Sequence, residues 1–334
     1  MAVFYVKEQG AVVQKNAEKL VISKNGKTLL ETPVFQVDNI AIMGNVQVTT
    51  QALHMMMEQG VDVSYFTYSG KYLGHTAADT SKNIFLRFEQ YGYYLDMEKR
   101  LNMAKNIITG KINHQIMIIK NYRWEKNSYQ WKRDVEQIEK YLALLKDKKT
   151  PNEILGVEGI CSSIYFGAFG HMLKGDFEFR GRNRRPPKDP VNVIISLAYT
   201  FLTKEMCSAL DAESFETYLG FLHGIRYGRK SLALDMIEEF RQPCIDRLVL
   251  FLFNKRIINK FDFEISDDSQ ITLTEEGFRK FCIEYEKWMN GKNTVSGESS
   301  FRKQIRNQVA KLKKAISKKE VYEPYLWSGK NVLD

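Results

Sequence analysis

The sequence predicts an α+β protein in which a small N-terminal β-sandwich-like domain, residues 1–82, precedes a larger all-α domain, residues 83–334. Short runs rich in β-branched and aromatic residues fill the first 80 positions, as in strands. From about Lys82 the apolar residues recur with helical spacing instead. The length of 334 residues also favours two domains over a single compact core.

Within the first domain, turn residues separate the predicted strands. Asn25-Gly26 lies between two apolar runs and predicts a tight hairpin. A short helix is expected at about Gln51–Glu58, between later strands. The predicted strands are AVFYV, KLVIS, KTLLETPV, NIAIMGNVQVT and VDVSYFTY.

The rest of the chain is predicted to be helical. Residues 84–124 form one or two long helices, with a candidate break at GKINH, residues 110–114. Pro151 suits the first turn of the next helix. Thr274 begins a later helix, and the turn residues before it leave room for a short hairpin. Residues 302–319 hold eight basic residues and no acidic residue, which predicts a cationic amphipathic helix.

The charge is unevenly distributed along the chain. The net charge is +9, but residues 1–80 hold six lysines and seven acidic residues, a net of −1, so the remainder carries +10. A polyanion such as nucleic acid is the first candidate partner for that basic part. A basic surface without a partner is the alternative at this stage.

Several protein classes are disfavoured. The N-terminus lacks the features of a secretory signal peptide, so a cytoplasmic protein is expected. No apolar run comes close to the roughly 20 residues of a membrane span, so no membrane partner is expected. The four cysteines are widely spaced, which argues against a zinc site or a disulfide framework and favours small buried residues: Cys161, Cys207, Cys244 and Cys282.

The segment from Gly220 to Pro243 contains candidate metal ligands. His223 precedes a turn and a helical run in which Asp235 and Glu238 are three residues apart, hence on one helix face. Acids in an apolar run need a partner, because desolvating a carboxylate is costly. One imidazole and two carboxylates would suit Mg²⁺ or Mn²⁺. The alternatives are a capping or core histidine and a solvated helix edge.

A third acid lies upstream, in the apolar stretch 154–173. Glu158 stands among Val157, Ile160 and Ile164, and small residues around it suit close helix packing. The alternative is a first-turn glutamate that the helix dipole favours. Taken together, Glu158, His223 and Glu238 form a candidate site for one metal ion.

At these motifs the chain resembles the CRISPR-associated adaptation integrases, the first-numbered family of Cas proteins. The resemblance extends over nearly the whole sequence. One departure lies after the histidine, where two turn prolines common in relatives are absent and a less rigid loop is expected. The shared strings are G-x-E-G at Glu158, RRPPKDPVN followed by Ser196 and Tyr199, G-F-L-H at His223, G-R-x-S-L-A-L-D ending at Asp235, E-E-F-R at Glu238 and Y-E-P-Y-x-W at 322–327.

The resemblance implies a catalytic set. Glu158, His223 and Glu238 become metal ligands for Mg or Mn, and Asp235 becomes a catalytic residue that orients His223 or a metal-bound water, or binds the metal directly. The implied partners are double-stranded and branched DNA, a second copy of the chain in a homodimer formed through the β domain, and the small second-numbered Cas protein. The candidate nucleic-acid-binding residues are Lys105, Lys111, Arg182, Arg184, Arg185, Arg226, Arg229 and Arg241.

Three reactions or roles stay open from the residues themselves. With water as the nucleophile, a metal site of this kind gives a nuclease; with a DNA 3′-hydroxyl it gives strand joining by transesterification. The resemblance favours joining of spacer DNA ends to a CRISPR repeat. The alternatives are a stand-alone metal-dependent nuclease for branched DNA in repair and a non-catalytic DNA-bridging protein. A membrane-surface role for the 302–319 helix is disfavoured because residues 303–319 contain no Trp or Phe.

Overall fold

The computed structural model shows a mixed protein of sheets and many helices in two compact units, Met1–Thr80 and Ser81–Asp334. The break after Thr80 lies close to the predicted domain boundary at residue 82. The described residues are 2–76, 83–125, 129–175, 177–183, 186–265, 270–291, 299–318 and 320–329.

Over residues 2–76, the first unit contains two four-stranded sheets and one α-helix. One sheet has the order β1-β5-β7-β8, with β1, β5 and β7 parallel and β8 antiparallel to β7. The other has the order β4-β3-β2-β6. The elements are β1 (Ala2–Val6), β2 (Val12–Asn16), β3 (Lys19–Lys24), β4 (Lys27–Pro33), β5 (Val37–Met43), β6 (Gln47–Val48), α1 (Thr50–Glu58), β7 (Asp62–Phe66) and β8 (Tyr72–Thr76).

A common hydrophobic core joins these elements. Val13 of β2, Ile40 of β5 and Met56 of α1 are each at most 1% exposed and belong to one cluster. The Asn25-Gly26 hairpin between β3 and β4 is confirmed, and both residues have positive φ, as a tight primed turn requires. The predicted short helix is confirmed as α1.

The second unit is mainly helical but not all-α. Its two-stranded antiparallel sheet, β9 with β10, corrects the all-α part of the prediction and lies just before Thr274, where the sequence leaves room for a short hairpin. Thr274 caps α9 and Thr150 caps the helix that Pro151 opens, both as predicted. The elements are α2 (Ile84–Leu95), α3 (Met97–Asn121), α4 (Trp131–Ala143), α5 (Pro151–Met172), α6 (Pro190–Ala212), α7 (Ser231–Ile237), a π-helical segment (Arg241–Asp246), α8 (Arg247–Asn254), β9 (Phe263–Ile265), β10 (Ile271–Leu273), α9 (Glu275–Asn290) and α10 (Phe301–Ser317).

The helix break expected at 110–114 is wrong. The chain breaks earlier, at Asp96, and α3 runs unbroken through Gly110. Gly110 serves close packing: a Cβ there would lie 2.7 Å from Cβ of Pro324 in a later segment. Gly110 therefore marks the place where a later segment packs closely against α3, and it does not mark a turn.

Helix α6 corrects the expectation that no segment reaches membrane-span length. By length and composition alone it could cross a membrane, with a mean hydropathy of 1.3 over its best window. Half of that window is buried inside the fold, and Ile194, Ile195 and Leu202 are fully buried. A buried core helix passes the same test, and the buried side chains of α6 belong to this unit's core.

Candidate active site

Helix α5 positions Glu158 beyond the first turn, as its eighth residue, so the helix dipole does not account for this acid. Ser162, one turn later, donates its hydroxyl proton to Oε1 of Glu158 at 2.7 Å. Burial raises the pKa of Glu158, but Lys111, Ser162 and Arg241 lower it more, to about 2. Glu158 is therefore an ionised carboxylate at neutral pH.

Helix α3 delivers the cation that faces Glu158. Lys111 is 2% exposed, and its ammonium forms ion pairs with Oε1 of Glu158 and, at 2.6 Å, with Oε2 of Glu238. The resemblance implies that Lys111 binds DNA, and that role stays a prediction. The structure buries the side chain, because α3 turns this face toward α5 and the end of α7.

Glu238 follows the last residue of α7 and is 3% exposed. Its second oxygen, Oε1, forms an ion pair with the Arg241 guanidinium at 2.9 Å. The Arg241 guanidinium is also buried and lies over the ring of Tyr199, 4.9 Å from the centroid. Two cations from two elements thus neutralise this carboxylate.

Asp235 is held in a different way from Glu238, although both were predicted on one helix face. It is fully buried, and its Oδ2 accepts from the backbone N–H groups of Phe221 and Leu222 at 2.6 and 2.9 Å. Its Oδ1 accepts from the backbone N–H of His223 at 3.0 Å and lies 2.6 Å from Nδ1 of the imidazole. Gly220 permits this approach, since a Cβ there would lie 2.7 Å from Oδ2.

These contacts orient His223. With Nδ1 facing the Asp235 carboxylate, the ring nitrogen left for another partner is Nε2. A metal-binding histidine usually has this arrangement, in which the second nitrogen donates to a carboxylate. His223 is part-buried, so the loop does not seal it from solvent.

The donor set fits a divalent cation in part. Glu158 and Glu238 already hold one cation between them, the Lys111 ammonium. Across the described ranges, however, no three His, Cys, Asp or Glu side chains lie close enough together to hold a metal ion. The two predicted carboxylate ligands contact the same ammonium, whereas His223 contacts Asp235 instead. The three-residue ligand set stays a prediction.

A cavity of about 580 Å³ opens beside Glu158. Among its described lining residues Glu158 is the one acid, against four basic side chains: Lys111, Arg180, Arg182 and Arg241. Ser162, Ser163 and Tyr199 add hydroxyl groups to the wall. A cavity with this lining suits an anion next to the carboxylates.

Neighbouring side chains anchor Arg182. Its guanidinium donates to Oδ1 of Asn192 at 2.7 Å and to Oγ of Ser196 at 3.0 Å, and it lies over the Tyr199 ring. These three residues recur along one face of α6. Asp189 caps that helix and fixes the Asn192 side chain in turn.

The other described residues that were predicted to bind DNA do not line this cavity. Lys105 donates to the backbone oxygen of Lys146 at 2.7 Å, near the surface. Arg226 is exposed, and Arg229 is tied to the loop through Gly224 and Ser231. Arg184 and Arg185 fall outside the described residues. Their roles in DNA binding stay predictions.

An extended strap, residues 320–329, packs behind the carboxylates. Tyr322 donates its hydroxyl proton to Oε1 of Glu239 at 2.7 Å, and the backbone N–H of Tyr325 donates to Oε2 at 2.8 Å. Burial raises the pKa of Glu239 to about 8. The strap also contacts α3, because the backbone N–H of Trp327 donates to Nε2 of His114 at 2.8 Å.

Sequence reasoning missed three parts of this site. It assigned no role to Ser162, although a serine four residues after a glutamate on a helix can reach its carboxylate. It did not identify Lys111 as the partner of both acids, since sequence spacing does not reveal a contact across 127 positions. It recognised the motif at 322–327 without a function, and the structure places that motif against Glu239.

Comparison with known proteins agrees with these motifs. The family model described as "CRISPR associated protein Cas1" matches residues 4–287. An endonuclease of that name from Thermus thermophilus is 36% identical over 294 residues, which are 87% of this chain and 85% of that protein. A Cas4 exonuclease/Cas1 endonuclease fusion from Geobacter sulfurreducens is 34% identical over 85% of this chain, which spans 52% of the fusion.

Solved structures have the same fold. A Cas1 protein from Thermotoga maritima superposes with a TM-score of 0.84 at 24% identity, over 97% of this chain and all of that one. A casposase bound to its integration product superposes with a TM-score of 0.87 at 24% identity, over all of this chain and 96% of that one. The match to the family model, the identity to its members and the shared fold lead to one assignment: the chain belongs to the Cas1 family of CRISPR-associated proteins.

Proposed function

We propose that this protein is a divalent-metal-dependent DNA integrase and endonuclease of CRISPR adaptation. It joins the 3′-hydroxyl ends of spacer DNA to the CRISPR repeat by transesterification. One observation carries the proposal: Glu158 and Glu238 share the Lys111 ammonium beside a cavity with three further basic side chains. Relatives named as Cas1 endonucleases support the reaction class.

Glu158, Glu238 and His223 would hold the metal, with Mg²⁺ or Mn²⁺ favoured by the two carboxylates and the imidazole. When bound, the ion would polarise a phosphodiester oxygen and lower the pKa of a nearby hydroxyl. Asp235 would keep Nδ1 of His223 engaged, so that Nε2 faces the ion. Ser162 would keep the Glu158 carboxylate oriented.

The basic cavity wall would bind the DNA backbone. Guanidinium groups suit phosphate, and Arg182 is already fixed by Asn192 and Ser196, so little ordering is needed when a phosphate binds. In the joining step the 3′-oxygen of one strand bonds to a repeat phosphorus, and the repeat's own 3′-oxygen leaves with the proton. The number of phosphodiester bonds is unchanged, so no ATP is required.

Two reacting DNA ends would need two copies of the site. We therefore propose a homodimer formed through the first unit, and a larger complex with the small second-numbered Cas protein in the cytoplasm. One solved structure of the same fold is titled as a Cas6-RT-Cas1–Cas2 complex, which supports the small partner, and another as a casposase bound to integration product, which supports a DNA partner. Symmetric assembly would fix the spacing of the two sites.

Two alternatives use the same surfaces. A stand-alone nuclease for branched DNA in repair would use the same carboxylates with water as nucleophile. A DNA-bridging protein without catalysis would use the basic side chains alone. The shared ion pair of Glu158 and Glu238 with Lys111 disfavours the second alternative, because bridging would not require two acids held together beside the basic wall.

The test is strand transfer in vitro. The protein, a short duplex with 3′-hydroxyl ends and a repeat-containing plasmid are combined with Mg²⁺ or Mn²⁺, with and without the small partner. We expect a joined product that Glu158→Ala and His223→Ala abolish, while Glu153→Ala, in the exposed first turn of the same helix, retains it. Release of fragments without joining would favour the repair nuclease. DNA binding unchanged by both site substitutions, without joining or cleavage, would refute the proposal.

A further inference from the structure

The charges around Glu158 and Glu238 cancel without a metal. Each carboxylate contributes one negative charge, and Lys111 and Arg241 each contribute one positive charge. Lys111 and Glu238 are almost completely buried, and Glu158 is partly open to the cavity. At low dielectric such a balanced cluster is stable, whereas an uncompensated charge in it is costly.

A divalent ion added to this cluster would leave two surplus positive charges in a poorly solvated place. It would also need the carboxylate oxygens that now contact the Lys111 ammonium, Oε1 of Glu158 and Oε2 of Glu238. One cation therefore has to leave when the metal enters. The two candidates, Lys111 and Arg241, differ in how firmly each is held.

Arg241 is fixed by more than charge. Its guanidinium lies over the Tyr199 ring at 4.9 Å, and it contacts Oε1 of Glu238, the oxygen that Lys111 does not use. Lys111 holds the carboxylates with a single ammonium on a flexible four-carbon chain, and it already lines the 580 Å³ cavity. The lysine is the cation that can move.

We propose that Lys111 is an exchangeable counter-ion of the active site. Its ammonium holds Glu158 and Glu238 together in the metal-free protein, a divalent cation displaces it, and the freed ammonium turns into the adjacent cavity where a DNA phosphate would bind. This inference rests on the proposed function, since it takes the two carboxylates as metal ligands. Lys111 is thus a positioning residue that also sets the affinity for metal.

The first test measures Mn²⁺ affinity by calorimetric titration and by thermal melting in EDTA and in MnCl₂. Lys111→Met is compared with wild type and with Lys105→Met, a matched change nearer the surface of the same helix. We expect Lys111→Met to melt at a lower temperature in EDTA, because two carboxylates then repel each other. We also expect it to bind Mn²⁺ roughly tenfold more tightly or better, since no ammonium competes.

The control variant Lys105→Met should match wild type in both measurements. The double variant Lys111→Met/Glu238→Gln should lose the tighter binding, which assigns the effect to these carboxylates. Equal or weaker Mn²⁺ binding by Lys111→Met would overturn the proposal.

A second test uses the wild-type protein and does not depend on a variant that folds. Lysine side chains are acetylated in EDTA or in MnCl₂, and the rate at each lysine is read by peptide mass spectrometry. A buried, ion-paired Lys111 should react slowly in EDTA and several-fold faster with Mn²⁺, while Lys105 does not change. The same slow rate at Lys111 in both conditions would overturn the exchange.

The two proposals fail separately. If Lys111→Met binds Mn²⁺ more tightly but the wild-type protein joins no DNA, the exchange stands and the proposed function fails. If joining requires metal and the Glu158 carboxylate, but Lys111→Met has wild-type Mn²⁺ affinity, the function stands and the exchange fails.

Discussion

Asp235 and Glu238 lie three residues apart, are both buried, and are neutralised in opposite ways. Asp235 accepts hydrogen bonds from its own neighbourhood, the backbone of residues 221–223 and the His223 ring. Glu238 is neutralised by charged side chains, and one of them, Lys111, is 127 positions away in sequence. Local backbone and ring dipoles hold the first carboxylate, and charged side chains hold the second.

Within one short segment, Asp235 therefore has a structural role and Glu238 is the acid that can change its partner. Backbone N–H groups cannot leave Asp235 without unfolding the loop, so this acid stays in place and shapes the loop around His223. A side-chain ammonium can leave Glu238 when another cation arrives. The predictions below test that contrast, beginning with the largest expected effect.

Asp235→Ala should destabilise the protein by about 3 kcal/mol or more, because three backbone N–H groups would lose their acceptor in the interior. Urea unfolding monitored by circular dichroism measures the change. Glu276→Ala, an exposed acid paired on a helix surface, should change the free energy of unfolding by less than about 0.5 kcal/mol. A loss below about 1 kcal/mol for Asp235→Ala would show that the loop does not depend on this carboxylate.

Tyr322→Phe should cost about 1–2 kcal/mol, since it removes the hydroxyl that links Glu239 to Gln308. The substitution tests whether a distant part of the chain holds Glu239, the residue that follows Glu238. The same urea experiment applies, with Val321→Ala, an exposed neighbour in the strap, as the control. Equal stability of the two variants would mean that this hydroxyl does not hold the strap.

Lowering the pH should loosen the strap through His114. Burial lowers the pKa of this imidazole to about 3, below the 6.5 of an ordinary histidine. Between these two values the unfolded chain binds a proton at His114 and the folded protein does not. The stability that the neutral His114 gives to the folded protein is fully present above pH 6.5 and is lost as the pH falls toward 3. His114→Gln removes this titration, so its stability should decline less than that of wild type between pH 7 and 5. Parallel curves for the two proteins would contradict the assignment.

Arg226→Ala should leave stability unchanged and lower the slope of log K for DNA binding against log salt by about 1, because Arg226 is exposed in the turn after His223. Fluorescence anisotropy at several salt concentrations measures the slope. Arg241→Ala provides the contrast, since this buried guanidinium pairs with Glu238 and its loss should lower the melting temperature. An unchanged salt slope for Arg226→Ala would remove this residue from the DNA interface.

Periodicity and turn chemistry predicted much of the fold. Asn25-Gly26, Pro151 and Thr274 placed a hairpin and two helix starts, because each acts on its own neighbours in sequence. Gly110 misled the prediction, since its role depends on Pro324, more than 200 positions away. The β9–β10 pair is too short for its pattern to distinguish it from a loop.

The same contrast between local and long-range features applies to the site. Motif resemblance identified Glu158, His223, Asp235 and Glu238 as a set, and the structure shows which of them share a cation. The burial of Lys111 could not be predicted, because a lysine on a mixed helix is usually solvated and only its partners on α5 and after α7 reverse that expectation.

The strap has a consequence for how the protein folds. Asn106 donates to the backbone oxygen of Tyr322, a separation of 216 residues, and His114 accepts from Trp327 across 213. Contacts of such long sequence separation carry a high loop-closure entropy and form slowly. The helices can therefore assemble before the strap docks, so a native-like intermediate in which Glu239 lacks its partners from the strap is the expected slow species in refolding.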